Sequence, residues 1–112
     1  MAPVNLDLKQ FEKAATEVAG VLRALANERR LMVLCELAGT GEANVGQLAE
    51  AVELSQSALS QHLAKMREEG LVEFRRDSQT LWYRIADPRI EEVLATLQRL
   101  YCPPGKSKSK RS

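Results

Sequence analysis

The two cysteines carry the most reactive side chains in the sequence, Cys35 within "LMVLCELA" and Cys102 within "LQRLYCPP". A thiolate can act as a nucleophile, form a disulfide or bind a metal ion. A thiol oxidoreductase is the weaker interpretation, because the sequence has no Cys-x-x-Cys motif, no Gly-rich phosphate loop and no convincing acid–base partners. Zinc is also disfavoured, because it normally takes four nitrogen or sulfur ligands and the chain has one histidine, His62.

A second candidate site is a polar strip within "LSQSALSQHLAKMREEGLV", residues 54–72. Leu59, Leu63 and Met66 recur at helical spacing, which predicts a helix with these three residues in the core. The opposite face offers small polar side chains, which let a helix enter a DNA major groove and reach base edges or phosphates. The predicted DNA-binding residues on this helix are Gln56, Ser57, Ser60, Gln61, His62 and Lys65. A merely solvated face is the alternative for such a strip in isolation.

Five helices and a β-hairpin are predicted to position these residues. Apolar periodicity and capping residues place the helices at 8–26, 28–38, 45–52, 56–69 and 88–101, and the strands at 71–76 and 80–85. Ser55 is the predicted N-cap of the fourth helix, and Gly70 is its predicted C′ residue. A short helix, a tight turn and a second helix form a helix-turn-helix, and the hairpin after them is a wing. The predicted fold class is therefore mainly α, a winged helix-turn-helix of order ααααββα.

The first strand of the predicted wing carries two adjacent arginines, Arg75 and Arg76. Their location next to the helix-turn-helix favours contact with DNA phosphates. Ion pairing with Asp77 or Glu73 is the alternative for the same two side chains.

The chain of 112 residues suits one domain, predicted to span residues 1–102, followed by a basic and disordered tail at 103–112. The net charge of +1 neither favours nor excludes a nucleic-acid partner. No apolar run is long enough to span a membrane, and the N-terminus does not have the pattern of a signal peptide. We therefore expect a cytoplasmic protein, in which the two cysteines do not form a permanent disulfide.

The segments "LRALANERRLMVLCELA" and "NVGQLAEAVELSQSALSQHLAKMREEGLVEFRRDSQTLWYRI" resemble the ArsR/SmtB family of winged helix-turn-helix repressors. The resemblance covers residues 21–102. It implies a homodimer built on the first and last helices, with two recognition helices in successive major grooves of a pseudo-palindromic operator in double-stranded DNA. Many relatives bind metal, but the matching positions are Asn44 and Gly46 in one site and Asp87 and Arg89 in another. We therefore predict neither metal nor other cofactor.

The cysteine pair resembles the persulfide-responsive branch of that family, which is typified by SqrR, BigR and HlyU. This resemblance implies that Cys35 and Cys102 form an intrasubunit disulfide or polysulfide bridge on exposure to reactive sulfur species, which releases a repressor from DNA. A buried and inert Cys35 is the alternative for that residue, since it shares a face with Leu31, Leu34 and Ala38. A peroxide sensor, an anti-silencing regulator and a protein-binding winged helix stay open as alternative functions.

Overall fold

The computed structural model describes residues 2–102, which form five helices and three short strands. In chain order these are α1 (Leu8–Leu25), α2 (Glu28–Thr40), β1 (Ala43–Asn44), α3 (Val45–Val52), α4 (Gln56–Glu68), β2 (Val72–Asp77), β3 (Thr80–Ile85) and α5 (Pro88–Tyr101). The predicted tail at 103–112 lies outside the described residues. None of these helices combines the length and apolar character needed to cross a bilayer. The elements confirm the predicted winged helix-turn-helix class.

The chain divides into two compact units, one ending at Leu31 and the other beginning at Met32. In the first unit, Asp7 caps α1 by accepting a hydrogen bond from the Gln10 backbone N–H at 3.2 Å. Along the apolar side of α1, Phe11 is 49% and Leu22 56% exposed, whereas Leu25 is buried. This unit therefore leaves a hydrophobic helix face accessible to solvent.

The second unit contains an apolar core to which each of its helices contributes. Its members with less than one-tenth of their surface exposed are Val33, Leu34, Leu37, Ala43, Leu48, Ala49, Leu59, Leu63, Met66, Leu71, Val72, Tyr83, Ile85, Ile90 and Leu94. Leu59, Leu63 and Met66 are fully buried, which confirms the core face predicted for α4. No polar or charged side chain among residues 2–102 is buried.

The three strands form one antiparallel sheet in the order β1-β3-β2. The sequence does not predict β1, because two residues are too short to show a strand pattern and the pairing depends on distant β3. β2 extends one residue beyond its predicted end, since Asp77 pairs with Thr80 across the Ser78–Gln79 turn. The hairpin register then places Arg75 opposite Trp82 and Arg76 opposite Leu81.

Gly70 ends α4 in the way that the sequence predicts. Its φ of +80° lies in the left-handed region. The Gly70 N–H donates to the Arg67 carbonyl at 3.0 Å, and the Leu71 N–H donates to the Met66 carbonyl at 2.9 Å. This pair of bonds is a Schellman motif, which turns the chain from α4 directly into the wing.

Gly70→Ala should lower the free energy of unfolding by about 1 kcal/mol, because a left-handed backbone disfavours a Cβ atom. No other atom lies within 4 Å of a Cβ built there, so the effect is conformational rather than a clash. Urea unfolding measures it. Gly39→Ala, in a helical and equally open position, is the matched control and should be neutral or stabilising. Equal stability of the Gly70 variant and the parent would contradict this account of the turn.

Candidate nucleic-acid interface and thiol groove

The helix-turn-helix consists of α3, a three-residue turn at 53–55 and α4. Asn44 begins α3 with a capping box, in which its side chain accepts from the Gln47 N–H at 2.9 Å and Gln47 Oε1 accepts from the Asn44 N–H at 3.0 Å. Glu53 ends α3 in the left-handed conformation, with φ 58° and ψ 46°. Ser55 then caps α4 by accepting from the Ala58 N–H at 3.1 Å, as predicted. These local bonds fix the direction in which α4 leaves the turn.

The structure exposes most of the predicted DNA-binding residues on α4 along one surface. The exposed members are Gln56, Ser57, Ser60, Gln61 and Lys65. His62 is only half-exposed, on the flank of the helix, between this surface and the core residues. Gln56 lies against the start of α3, since a Cβ built at Gly46 would be 3.8 Å from its side-chain nitrogen. Such a surface carries hydrogen-bonding side chains and no acidic residue that would repel the phosphates of a nucleic acid.

The two wing arginines lie on opposite faces of the sheet because side chains alternate along β2. Arg75 donates two hydrogen bonds to the Glu42 carboxylate, from Nε at 2.8 Å and from Nη2 at 3.1 Å. Arg76 has no ion-pair partner among the described residues and is exposed. The alternative of ion pairing holds for Arg75, but the main partner is Glu42, and Asp77 is more distant at 3.8 Å. Glu73, the other predicted partner, pairs with Arg84 at 2.7 Å instead. Glu42 lies 33 positions away in the chain, so no local sequence pattern identifies it as the partner of Arg75.

An aromatic contact that the sequence does not predict connects α4 to the wing. The Arg67 guanidinium lies 4.4 Å from the centre of the Phe74 ring. Phe74 in turn meets Tyr83 edge-on, with ring centres 5.3 Å apart, and Tyr83 is buried. These two contacts connect the C-terminal part of α4, through Phe74, to the buried Tyr83 of the wing.

Cys35 lies in a groove between α2 and α5, and it is not buried. The groove has a volume of about 430 Å³ and is lined by Cys35, Ala38, Gly39, Glu91, Leu94, Ala95 and Gln98. Because Cys35 is exposed, the alternative of a buried and inert cysteine is wrong. Its side chain points to the surface rather than inward, since Leu34 and Leu37 take the fully buried positions on α2. A small reactant in solution can therefore reach this thiol.

Cys102 lies at the C-terminal end of α5 and is also exposed. Its N–H donates to the Gln98 carbonyl at 2.8 Å, which places it one turn beyond a residue that lines the groove. The groove walls raise the pKa of Cys35 through partial burial, and a negative charge on Cys102 raises that pKa further.

Replacing Cys102 with serine should lower the pKa of Cys35, because it removes the second of these two causes. The initial rate of Cys35 alkylation by iodoacetamide, measured by peptide mass spectrometry across a pH series, reports the thiolate population. In the parent the rate should rise only at a pH above the ordinary thiol range. In Cys102→Ser the rise should move to lower pH. An unmoved profile would contradict the coupling between the thiols.

The positions that match metal ligands in relatives have other partners in this chain. Asn44 caps α3, and Asp87 caps α5 while it accepts from Arg89 Nη2 at 2.7 Å. The hydrogen bonds from Arg89 hold the pKa of Asp87 below its usual range. No group of three or more His, Cys, Asp or Glu side chains within residues 2–102 is arranged to hold a metal ion.

A capped helix-turn-helix, an exposed polar recognition surface and a hairpin fixed against it define a winged helix DNA-binding protein. Residues 27–73 match the family described as bacterial regulatory proteins of the arsR family. The chain is 46% identical over 101 residues to the transcriptional activator HlyU of Vibrio cholerae serotype O1, which covers 90% of this chain and 91% of that protein. It is 40% identical over 97 residues to the HTH-type transcriptional regulator YgaV of Escherichia coli K12, covering 87% and 98% respectively.

The fold is also similar to a solved structure, that of the transcriptional repressor BigR from Xylella fastidiosa. The TM-score is 0.80 at 35% identity, and the match covers 87% of this chain and 98% of that chain. The chain belongs to the ArsR family and is a DNA-binding transcriptional regulator, as the sequence analysis predicted. Its relatives are regulators rather than enzymes, which confirms the preference for a regulator over an oxidoreductase.

Proposed function

We propose that the protein binds operator DNA in its reduced state and is released when Cys35 and Cys102 are bridged by reactive sulfur species. The observation that carries this proposal is the open groove that holds Cys35, with Cys102 one turn beyond its Gln98 wall. We further propose that the regulation is repression, the activity named for BigR. The inducer is then an organic persulfide.

The bridge forms by two balanced displacements. One cysteine thiolate attacks the outer sulfur of a persulfide RSSH, which gives a cysteine persulfide and releases the thiol RSH. The second thiolate then attacks the inner sulfur of that cysteine persulfide, which forms the disulfide and releases H₂S. The incoming persulfide is thus the oxidant, and no other electron acceptor is needed.

A longer bridge follows when both cysteines have first accepted sulfur. The terminal sulfur of one cysteine persulfide attacks the inner sulfur of the other, which forms a trisulfide and releases H₂S. A plain disulfide requires Cα atoms within about 7 Å. Each added sulfur lengthens the permitted span, so a pair of thiols whose Cα atoms lie farther apart than this limit favours persulfide donors over peroxide.

We propose that the functional unit is a homodimer formed through α1 and α5. The exposed hydrophobic side chains on these helices support this: Leu8, Phe11 and Leu22 on α1, and Leu97, Leu100 and Tyr101 on α5. Tyr101 is 77% exposed and Leu100 is 60% exposed, so part of the apolar surface of this amphipathic helix is not buried within one protomer. A small domain gains stability by burying such faces against a second copy.

In the proposed dimer, the bridge affects DNA binding by changing the relative placement of the two recognition helices. Cys102 ends one of the proposed dimer helices, whereas Cys35 lies on α2, earlier in the chain than the helix-turn-helix. A covalent link between α2 and α5 changes how each recognition helix is set relative to its copy. Because two half-sites have a fixed spacing, such a change weakens binding at both at once.

We expect two protomers to bind one duplex, with half-site centres about 34–36 Å apart or a multiple of this. Light scattering gives the mass of the free protein and of its complex with a duplex that the reduced protein selects from a random library. Insertion of half a helical turn of DNA between the half-sites should abolish the high affinity for the selected duplex. Insertion of a full turn should restore part of that affinity. A protein that is monomeric at micromolar concentration and binds as one copy would refute the dimer.

A further inference from the structure

Glu42 holds Arg75 in the geometry that a DNA phosphate would use. The carboxylate accepts from Arg75 Nε at 2.8 Å and from Nη2 at 3.1 Å, a bidentate contact across two oxygens. Guanidinium groups bind phosphate through the same fork of N–H groups. The Arg75 fork is therefore occupied by a group of the chain itself.

The surroundings keep this pair in place without burying it. Arg75 also lies 5.8 Å from the centre of the Trp82 ring and 3.8 Å from Asp77. The Arg75 side chain is 49% exposed and that of Glu42 is 30% exposed, so solvent and DNA can reach both. The hydrogen bond between them lowers the pKa of Glu42 and raises that of Arg75, so both groups stay charged at neutral pH.

We propose that Glu42 limits the DNA affinity of the wing by occupying Arg75. Of the two β2 arginines that the sequence predicts to contact phosphate, each protomer then offers DNA Arg76 alone. The inference rests on the proposed function, in which the wing lies along the DNA backbone. Phosphate contacts carry no sequence information, so Glu42 sets the overall affinity rather than the choice of operator.

A limit on DNA affinity is useful in a protein that must be released from its operator. A switch supplies a finite differential free energy, and every additional phosphate contact adds affinity that the switch must overcome. A carboxylate that occupies one arginine removes one such phosphate contact and so lowers the affinity that the switch must overcome.

Glu42→Gln should strengthen binding, because a neutral amide accepts a weaker hydrogen bond and releases Arg75 to phosphate. We expect a gain of about fivefold or more at low salt, equal for the selected duplex and for an unrelated one. The slope of log K against log[salt] should steepen by up to about 0.9 for each protomer. A gain of affinity is not an outcome that misfolding produces.

A double-mutant cycle separates occupancy of Arg75 from simple charge repulsion. In an Arg75→Met background, Glu42→Gln should change the affinity for either duplex by less than about twofold, because no guanidinium is left to release. A gain that persists in that background shows that the Glu42 charge repels DNA directly, and it overturns the inference.

The remaining outcomes distinguish the inference from the function on which it rests. If Glu42→Gln leaves affinity and salt slope unchanged while Arg76→Ala weakens binding, Glu42 does not limit the wing, and the proposed docking stands. If the reduced parent binds no duplex, both the proposed function and this inference are refuted.

Discussion

Serine in place of either cysteine should keep the protein on its DNA after a persulfide treatment that releases the parent. A single thiol can accept sulfur but cannot close a bridge, so both variants lose the constraint between α2 and α5. Moving occupancy from 99:1 to 1:99 requires about 5.5 kcal/mol of differential free energy. Formation of a covalent bridge can be coupled to a change of this size, whereas persulfidation of one exposed side chain has no comparable effect on helix geometry.

The measurement is a fluorescence anisotropy titration of the selected duplex, before and after glutathione persulfide. Both cysteines are exposed, so serine at either position should leave the fold and the reduced-state affinity unchanged. Hydrogen peroxide serves as the second oxidant. If Cys35→Ser and Cys102→Ser release DNA as the parent does, the dithiol mechanism is refuted. Release by peroxide and persulfide to the same extent would instead support a general redox sensor.

Gln61→Ala and Ser57→Ala should each weaken specific binding by roughly 1–3 kcal/mol, the usual range for a side chain that reads a base edge. Both side chains are exposed on α4, so truncation removes no core contact. The affinity for an unrelated duplex should change little. The comparison of the two duplexes by the same titration therefore isolates base reading. Unchanged affinity for the selected duplex would show that α4 is docked differently.

Arg76→Ala should weaken binding to both duplexes alike, because a phosphate contact does not depend on sequence. The salt slope should flatten by about 0.9 for each protomer. Arg75→Ala should have a smaller effect on the slope, since Glu42 already occupies that guanidinium. A larger slope change for Arg75→Ala than for Arg76→Ala would show that Arg75, and not Arg76, makes the main phosphate contact.

The parts of the fold that the sequence predicts well are those with local causes. The α3 and α5 bounds, the Ser55 cap and the left-handed Gly70 all follow from residues that act within one or two turns of themselves. The core face of α4 follows from apolar spacing alone. Each of these depends on sequence neighbours, which a single sequence displays in full.

The parts that were missed depend on contacts between distant positions. β1 exists because Ala43 and Asn44 pair with β3, and Glu42 meets Arg75 only because that pairing brings them together. The sequence leaves the orientation of Cys35 open because its neighbours on α2 are apolar on more than one side. Tertiary packing assigns Leu34 and Leu37 to the core and leaves the thiol in the groove.

The central claim is that one intrasubunit bridge between Cys35 and Cys102 releases DNA, and one titration tests it directly. The reduced dimer on its labelled duplex is treated with increasing glutathione persulfide, and each sample is divided between anisotropy and intact-mass analysis with proteolytic mapping. The fraction of DNA released should rise together with the fraction of protein that has a Cys35–Cys102 disulfide or polysulfide within one chain. Release without that bridge, or complete bridging with DNA still bound, would contradict the account.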